Sequence, residues 1–304
     1  MNSGQRGGDC KSAPWSDIAH AVSDAIDAPF RVESCDPVHG GSISTTYHVR
    51  GKGRAFFVKL NQPQRLPMFD AEAAGLAEIS LSSTVRVPRP VCCGASGAAS
   101  WLVLEHVPFG LASNKGMREL GRSLALMHRV TDERFGWGRD NTIGATPQVN
   151  TPDPDWVAFW RDHRLGFQLE LAAKNGYRGR LQQQGKRLLE KLPEFFSGYA
   201  PQPSLLHGDL WSGNFGFDRA NEPVVFDPAV YYGDRETDLA MTELFGGFAR
   251  EFYEAYSEAF PIDPGYARRK HLYNLYHVLN HLNLFGAGYL ARAERMTGEL
   301  LASA

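Results

Sequence analysis

No apolar run in the 304-residue chain approaches the roughly 18 residues that a membrane-spanning helix needs, so a transmembrane segment is not expected. Charge of one sign is not in surplus either. Thirty-two Lys and Arg stand against 34 Asp and Glu, a net −2, which gives no electrostatic basis for binding nucleic acid. Cysteine is scarce: Cys10, Cys35, Cys92 and Cys93 form no C-x-x-C and no metal-ligand spacing, and read as free thiols of a reducing cytoplasm. Residues 1–13 are rich in Gly and Ser and lack an apolar h-region, which predicts a flexible tail rather than a signal peptide. Internal repeats and long low-complexity tracts are missing too. What remains is 43% hydrophobic and 22% charged, ordinary for a soluble globular protein, with length for one large or two modest domains.

The most informative stretch runs Ser204-Leu205-Leu206-His207-Gly208-Asp209-Leu210-Trp211-Ser212-Gly213-Asn214. A short apolar strand delivers a His-Gly-Asp turn, and a second apolar run, Val224-Val225-Phe226, ends in Asp227. Phosphoryl transfer needs this order: one carboxylate to orient a hydroxyl, then an Asn and a second carboxylate as hard oxygen ligands for Mg²⁺. Asp and Asn are commonplace in turns, where they cap nearby backbone. The His-Gly before Asp209, the flanking strands and the third ligand together favour chemistry. Asp209 is therefore expected to be the catalytic base, and Asn214 and Asp227 the metal ligands.

Upstream, residues 15–26 repeat apolar side chains at helical spacing, while 30–34, 43–49 and 55–59 read as three antiparallel strands with a turn at Gly51-Lys52-Gly53. Gly40 and Gly41, between the first two strands, suit either a plain hairpin or a loop whose N–H groups approach phosphate oxygens. Lys59 ends an apolar strand, where an ammonium either snorkels to water or is held by a partner. Glu72, on the Ala-rich helix beginning near Phe69, has the spacing of the strand-lysine and helix-glutamate pair that grips α- and β-phosphates. Residues 85–91 and 101–105 are two further expected strands. The connector Glu105-His106-Val107-Pro108 is where kinase-like chains take an adenine edge through backbone groups, and the lobe boundary is placed there.

Helices are expected over 114–129, 156–174 and 178–191, with an irregular segment over 131–154 that is long for a loop without function. Another helix opens at Asp234, and Asp238 within it is expected to be a buried structural carboxylate that receives N–H groups of the catalytic loop. The short gap between Asp227 and Asp234 leaves no room for a long activation segment, and no A-P-E follows, which argues against a protein-serine kinase. On the last long helix His277 and His281 are four apart, a zinc-like spacing. The Glu that a metallohydrolase would use as base is missing, so a core helix with satisfied polar residues is favoured, some of them facing a sugar.

Taken together these residues resemble the fructosamine-3-kinase (ketosamine kinase) family, a branch of the aminoglycoside-phosphotransferase-like kinases. Lys59, Glu72, His207-Gly208-Asp209, Asn214 and Asp227 are generic to kinase-like folds. More specific are Leu205 to Asn214 taken whole, Phe226-Asp227-Pro228-Ala229, Tyr232-Gly233, Phe245-Gly246-Gly247-Phe248, Pro147-Gln148-Val149-Asn150, His163-Arg164-Leu165 and Leu279-Asn280-His281. The resemblance covers residues from about Trp15 to Tyr289. It implies an α+β, bilobal protein-kinase-like fold, with an antiparallel sheet lobe over 14–106 and a mainly helical catalytic lobe over 107–304.

It implies as well an ATP- and Mg²⁺-dependent kinase that phosphorylates the O3 hydroxyl of ketosamines on glycated amines or proteins. The 3-phosphate decomposes and frees the amine, so the implied role is deglycation by a cytoplasmic monomer. Gly40, Gly41, Ser42, Lys59, Glu72, Glu105 and Val107 would then hold the nucleotide. Trp211 would be the sugar's aromatic floor or a packing residue, and His281 a substrate contact. Some relatives carry a Cys where Ser42 stands, so a disulfide switch at that loop is not expected here, although Cys35 lies near. An aminoglycoside or choline kinase would want a strongly acidic C-terminal lobe, and no such cluster is evident. A nucleotide-binding pseudokinase would be marked by loss of Lys59, Asp209 or Asp227, and all three are present.

Overall fold

A computed structural model describes residues 14–38 and 43–303. The chain divides into two compact units: residues up to Glu78 together with Val87–Phe109, and Ile79–Arg86 together with Gly110 onward.

The first unit is a five-stranded antiparallel sheet with one helix before it and one inserted in it. Helix α1 (Trp15–Ala25) leads into β1 (Ser34–Val38), β2 (Thr45–Gly51) and β3 (Arg54–Asn61); α2 (Leu66–Ser82) then separates these from β4 (Pro90–Ala95) and β5 (Ser100–Glu105). The spatial order is β1-β2-β3-β5-β4, which puts β3 in the middle. The turn between β2 and β3 is Lys52-Gly53, both at positive φ (49° and 74°), the conformation that matches strand twist in a two-residue hairpin. Ile18 and Val22 of α1 pack with Tyr47, Val49, Phe56, Val58, Trp101 and Val103 in one core.

Two strand expectations shift. The strand expected over 30–34 begins only at Ser34, because Phe30 turns into the core while Arg31 passes so close to Gly51 that a Cβ there would fall on its carbonyl oxygen. The strand expected over 85–91 starts at Pro90 instead, since Pro88 and Pro90 cannot donate to a ladder; Arg86 forms only an isolated bridge to Val224. A third correction concerns the thiols. Cys35 is disulfide-bonded, while Cys92 and Cys93 are free. Spacing along the chain carries no information on which cysteines meet in space, so the expectation of four free thiols fails at Cys35.

The second unit is mainly helical: α3 (Asn114–Met127), α4 (Trp156–Trp160), α5 (Gly166–Lys174), α6 (Arg180–Lys191), α7 (Glu236–Leu244), α8 (Arg250–Ala259), α9 (Tyr266–Phe285) and α10 (Leu290–Ser303). Three two-stranded ladders are set among them, β6 (Asn141–Ile143) with β7 (Thr146–Gln148), β8 (Ser204–Leu206) with β11 (Tyr231–Gly233), and β9 (Phe215–Phe217) with β10 (Pro223–Val225). The segment over 131–154 therefore contains a hairpin of its own. The helix expected over 156–174 is interrupted by a π turn at Arg161–Leu165, where the Gly166 N–H donates to the Arg161 carbonyl. That turn directs Arg164 inward, to donate to Val149 O at 2.6 Å and to Asn150 Oδ1 at 2.6 Å. Among the described residues no helix is long and apolar enough to cross a membrane.

Candidate active site

Ladder β8–β11 places the His-Gly-Asp turn. Leu206 pairs with Tyr231, and the chain leaves β8 through His207, whose carbonyl accepts from Ala229 N at 2.8 Å. Gly208 follows at φ +81°, and a Cβ there would stand 2.1 Å from the Ala229 carbonyl oxygen. Only glycine meets both conditions. The loop then returns into β9 at Asn214, whose carbonyl accepts from Phe226 N at 3.0 Å and so ties the loop to the strand that delivers Asp227. Asp227 itself sits at φ +58°, sparsely populated for a residue with a side chain, of a kind that clusters at functional positions.

His207 is a clamp. The Asp209 N–H donates to its Nδ1 at 3.3 Å, so the proton of the neutral ring is on Nε2, which donates to the Phe226 carbonyl at 2.9 Å. Burial holds its pKa down, in keeping with a neutral imidazole. A second support comes from Asp238 on α7, which accepts from His207 N at 2.7 Å and from Gly208 N at 2.8 Å. The expected role of that carboxylate is borne out. Behind it lies a chain the sequence did not signal. His128, at the end of α3, places Nε2 3.2 Å from Asp238 Oδ2 and Nδ1 2.8 Å from the Tyr256 hydroxyl; Arg235 donates to that hydroxyl at 3.0 Å. A carboxylate only accepts, so His128 carries its proton on Nε2. Burial keeps the ring neutral, so Nδ1 accepts from Tyr256.

Asn214 is buried and donates from Nδ2 to the Asp209 carbonyl at 2.9 Å and to Asp209 Oδ2 at 3.3 Å. With its amide nitrogen engaged, its Oδ1 remains the group to offer a cation. Burial, then the charges of Asp227 and Asp238, push the Asp209 carboxyl up to about 7, against the hydrogen bond from Asn214. Repulsion from Asp227 also means that the two carboxylates lie within electrostatic reach. One amide oxygen and one carboxylate, to be completed by substrate phosphates, is a donor set that fits Mg²⁺, which keeps few protein ligands. Among the described residues no group of three or more His, Cys, Asp or Glu side chains is arranged to hold a metal.

Trp211 and His281 both border Phe245. The Trp211 and Phe245 rings are 6.3 Å apart and edge-on, and the Phe245 and His281 rings are 4.9 Å apart. The indole lies over Gly213, where a Cβ would fall 2.4 Å from two of its ring carbons. Trp211 keeps 36% of its surface exposed, more than a packing residue needs, so the loop presents it rather than buries it.

In the first unit Lys59 lies on the central strand, between Thr46 of β2 and Leu102 of β5. Its ammonium is buried and meets Glu72 Oε1 of α2 at 2.6 Å. Strand-end snorkelling is thereby overturned in favour of an ion pair. At the end of β5 the Glu105 N–H donates to the Arg89 carbonyl at 2.9 Å, Val107 is buried, and the His106 ring stacks on His48 with centroids 3.9 Å apart. Gly40, Gly41 and Ser42 lie outside the described residues.

Comparison with known proteins gives the arrangement a family. The fructosamine kinase family model matches residues 14–303. A probable ketoamine kinase of Synechocystis sp. is 46% identical over 290 residues, covering 95% of this chain and 97% of its own. The chloroplastic protein-ribulosamine 3-kinase of Arabidopsis thaliana is 42% identical over 267 residues, covering 87% and 81%. Among solved structures, a putative fructosamine-3-kinase from Haemophilus somnus superposes with a TM-score of 0.87 at 26% identity, covering 94% of this chain and 97% of that one. The aminoglycoside phosphotransferase APH(4)-Ia, at 14% identity and a TM-score of 0.61 over 95% and 99%, shares the fold. With nearly every described residue matched, from α1 to the end of α10, the chain belongs to the fructosamine kinase family.

Proposed function

We propose that the protein is an ATP-dependent kinase that phosphorylates the O3 hydroxyl of ketosamines, the sugar adducts of amines, and so initiates their deglycation. The observation that carries the reading is the Asp209 carboxylate, held by Asn214 and by a backbone turn that Asp238 and His207 lock, on a chain matched throughout by the fructosamine kinase family. In this reading Asp209 orients the acceptor hydroxyl and takes its proton as the γ-phosphoryl group departs from ADP. Asn214 and Asp227 hold Mg²⁺, which neutralises charge on the phosphates when bound. Lys59, fixed by Glu72, holds the α- and β-phosphates together with Gly40, Gly41 and Ser42, while the backbone at Glu105 and Val107 takes the adenine. Trp211 and His281 face the sugar.

The test is coupled ADP release with Mg·ATP, offering ribuloselysine, fructoselysine and an aminoglycoside side by side. Turnover of a ketosamine that drops about 10²- to 10⁴-fold in Asp209→Asn, the usual worth of a general base, supports the assignment. Turnover of the aminoglycoside alone overturns the substrate, and Asp209→Asn rates within a few-fold of wild type overturn the base. Asp227→Ala is expected to abolish metal-dependent nucleotide binding; unchanged calorimetric affinity for Mg·ATP removes it from the metal site.

A further inference from the structure

The rings around Phe245 form a cluster larger than a sugar floor requires. His281 stands 4.9 Å from Phe245, 5.4 Å from Phe285 and 5.2 Å from Tyr289, and Phe285 and Tyr289 are 6.5 Å apart. Trp211 closes the other end, two residues beyond Asp209. Phe285, the last residue of α9, is 51% exposed and so open to a ligand. The imidazole among these rings has a fixed tautomer. A carbonyl accepts only, so the contact between His281 Nδ1 and the His277 carbonyl at 2.8 Å puts the ring proton on Nδ1. Nε2 of the neutral ring then carries a lone pair and no proton. Burial and the nearby Arg292 guanidinium both hold the ring neutral. The cluster thus offers aromatic faces and one strong neutral acceptor.

Aromatic faces attract cations, and an unprotonated imidazole nitrogen wants an N–H or O–H donor. A ketosamine supplies both in one group. Its linking nitrogen is an alkyl secondary amine, protonated at neutral pH, four bonds from O3 and so at most about 5 Å from it. Whatever holds that nitrogen must lie near the carboxylate that orients O3, and Trp211 follows Asp209 by two residues. Resting on the reaction proposed above, we propose that the cluster of Trp211, Phe245, His281, Phe285 and Tyr289 binds the substrate's secondary ammonium group, with His281 Nε2 accepting one of its N–H bonds. Arg292 is the opposing charge: it repels a second cation, and the ring faces have to outweigh it.

Calorimetric binding of two probes separates this from simple apolar stacking: 1-deoxy-1-(propylamino)-ribulose, which is cationic, and 1-O-propyl-ribulose, its neutral ether. The wild type is expected to bind the amine about 3- to 30-fold more tightly, the range for a cation on aromatic faces. Phe285→Leu keeps an apolar side chain and removes a π face, so the preference should shrink several-fold, with loss of the amine rather than of the ether. Arg292→Gln should widen the preference. Equal binding of the two probes by the wild type, or equal weakening of both in Phe285→Leu, overturns the ammonium site and leaves an apolar ledge. An intact, Phe285-dependent preference for the amine in a protein that turns over no ketosamine overturns the proposed reaction while the ammonium site stands.

Discussion

His128 and Asp238 are buried together, with Nε2 of one 3.2 Å from Oδ2 of the other, and the same carboxylate receives the N–H groups of His207 and Gly208. Three donors therefore converge on one buried anion. Replacing it with the isosteric amide, Asp238→Asn, turns an NH₂ group toward a donor and leaves buried groups unpaired. The expected loss is about 2–4 kcal/mol of stability in urea unfolding, with kcat reduced at least about tenfold because the turn carrying Asp209 loses its anchor. Stability within about 0.5 kcal/mol of wild type would mean the anchor is not needed.

How much of this was legible follows from the range of each interaction. Asp238 could be expected because it lies on the helix that opens just after Asp227 and has few other uses there. Lys59 and Glu72 could be paired because a strand and the next helix are close in sequence. His128 could not, since its partners Asp238 and Tyr256 are 110 and 128 residues away and a histidine ending a helix has no local signature. The β-strands were shifted where prolines and the passage of Arg31 beside Gly51 overrode an alternating pattern. Phe285 and Tyr289 were silent for the opposite reason: aromatics at a helix end are common, and only their rings' approach to His281 marks them.

Asp209, pushed up to about 7 with no cation present, should report Mg²⁺ directly. A positive charge nearby favours the carboxylate, so binding of Mg·ATP lowers this pKa and expels a proton. Near pH 7 a carboxyl raised this far is partly protonated, so release of a fraction of a proton is expected. Calorimetry in buffers of different ionisation enthalpy measures it. Asp209→Asn should abolish the release, and a wild type that releases none would separate Asp209 from the metal site.

Gly213→Ala tests whether Trp211 is placed for substrate. The new Cβ would meet the indole at 2.4 Å, and the ring, at 36% exposure, is free to swing away at small cost. The thermal midpoint should change by at most a few degrees, while KM for the ketosamine rises about 3- to 30-fold and KM for Mg·ATP stays put. Equal shifts in both constants would assign the effect to the catalytic turn as a whole.

His277, on α9 one turn before His281, gives the protein a distinctive acid sensitivity. Burial, then the His281 ring, hold its pKa down to about 3 against an ordinary 6.5. A base whose folded-state pKa is depressed binds its proton more readily when unfolded, so the folded state loses ground as pH falls from 6.5 toward 3. Asp209 works in the opposite sense, since its raised carboxyl takes up a proton in the folded state first. Comparison with His277→Gln cancels that contribution. The wild type's stability relative to the variant should decline by about 1.4 kcal/mol per pH unit between about pH 6 and 4.5, read from urea midpoints. A gap that stays constant over that interval would show that His277 titrates normally, and that the core around α9 opens to water around it.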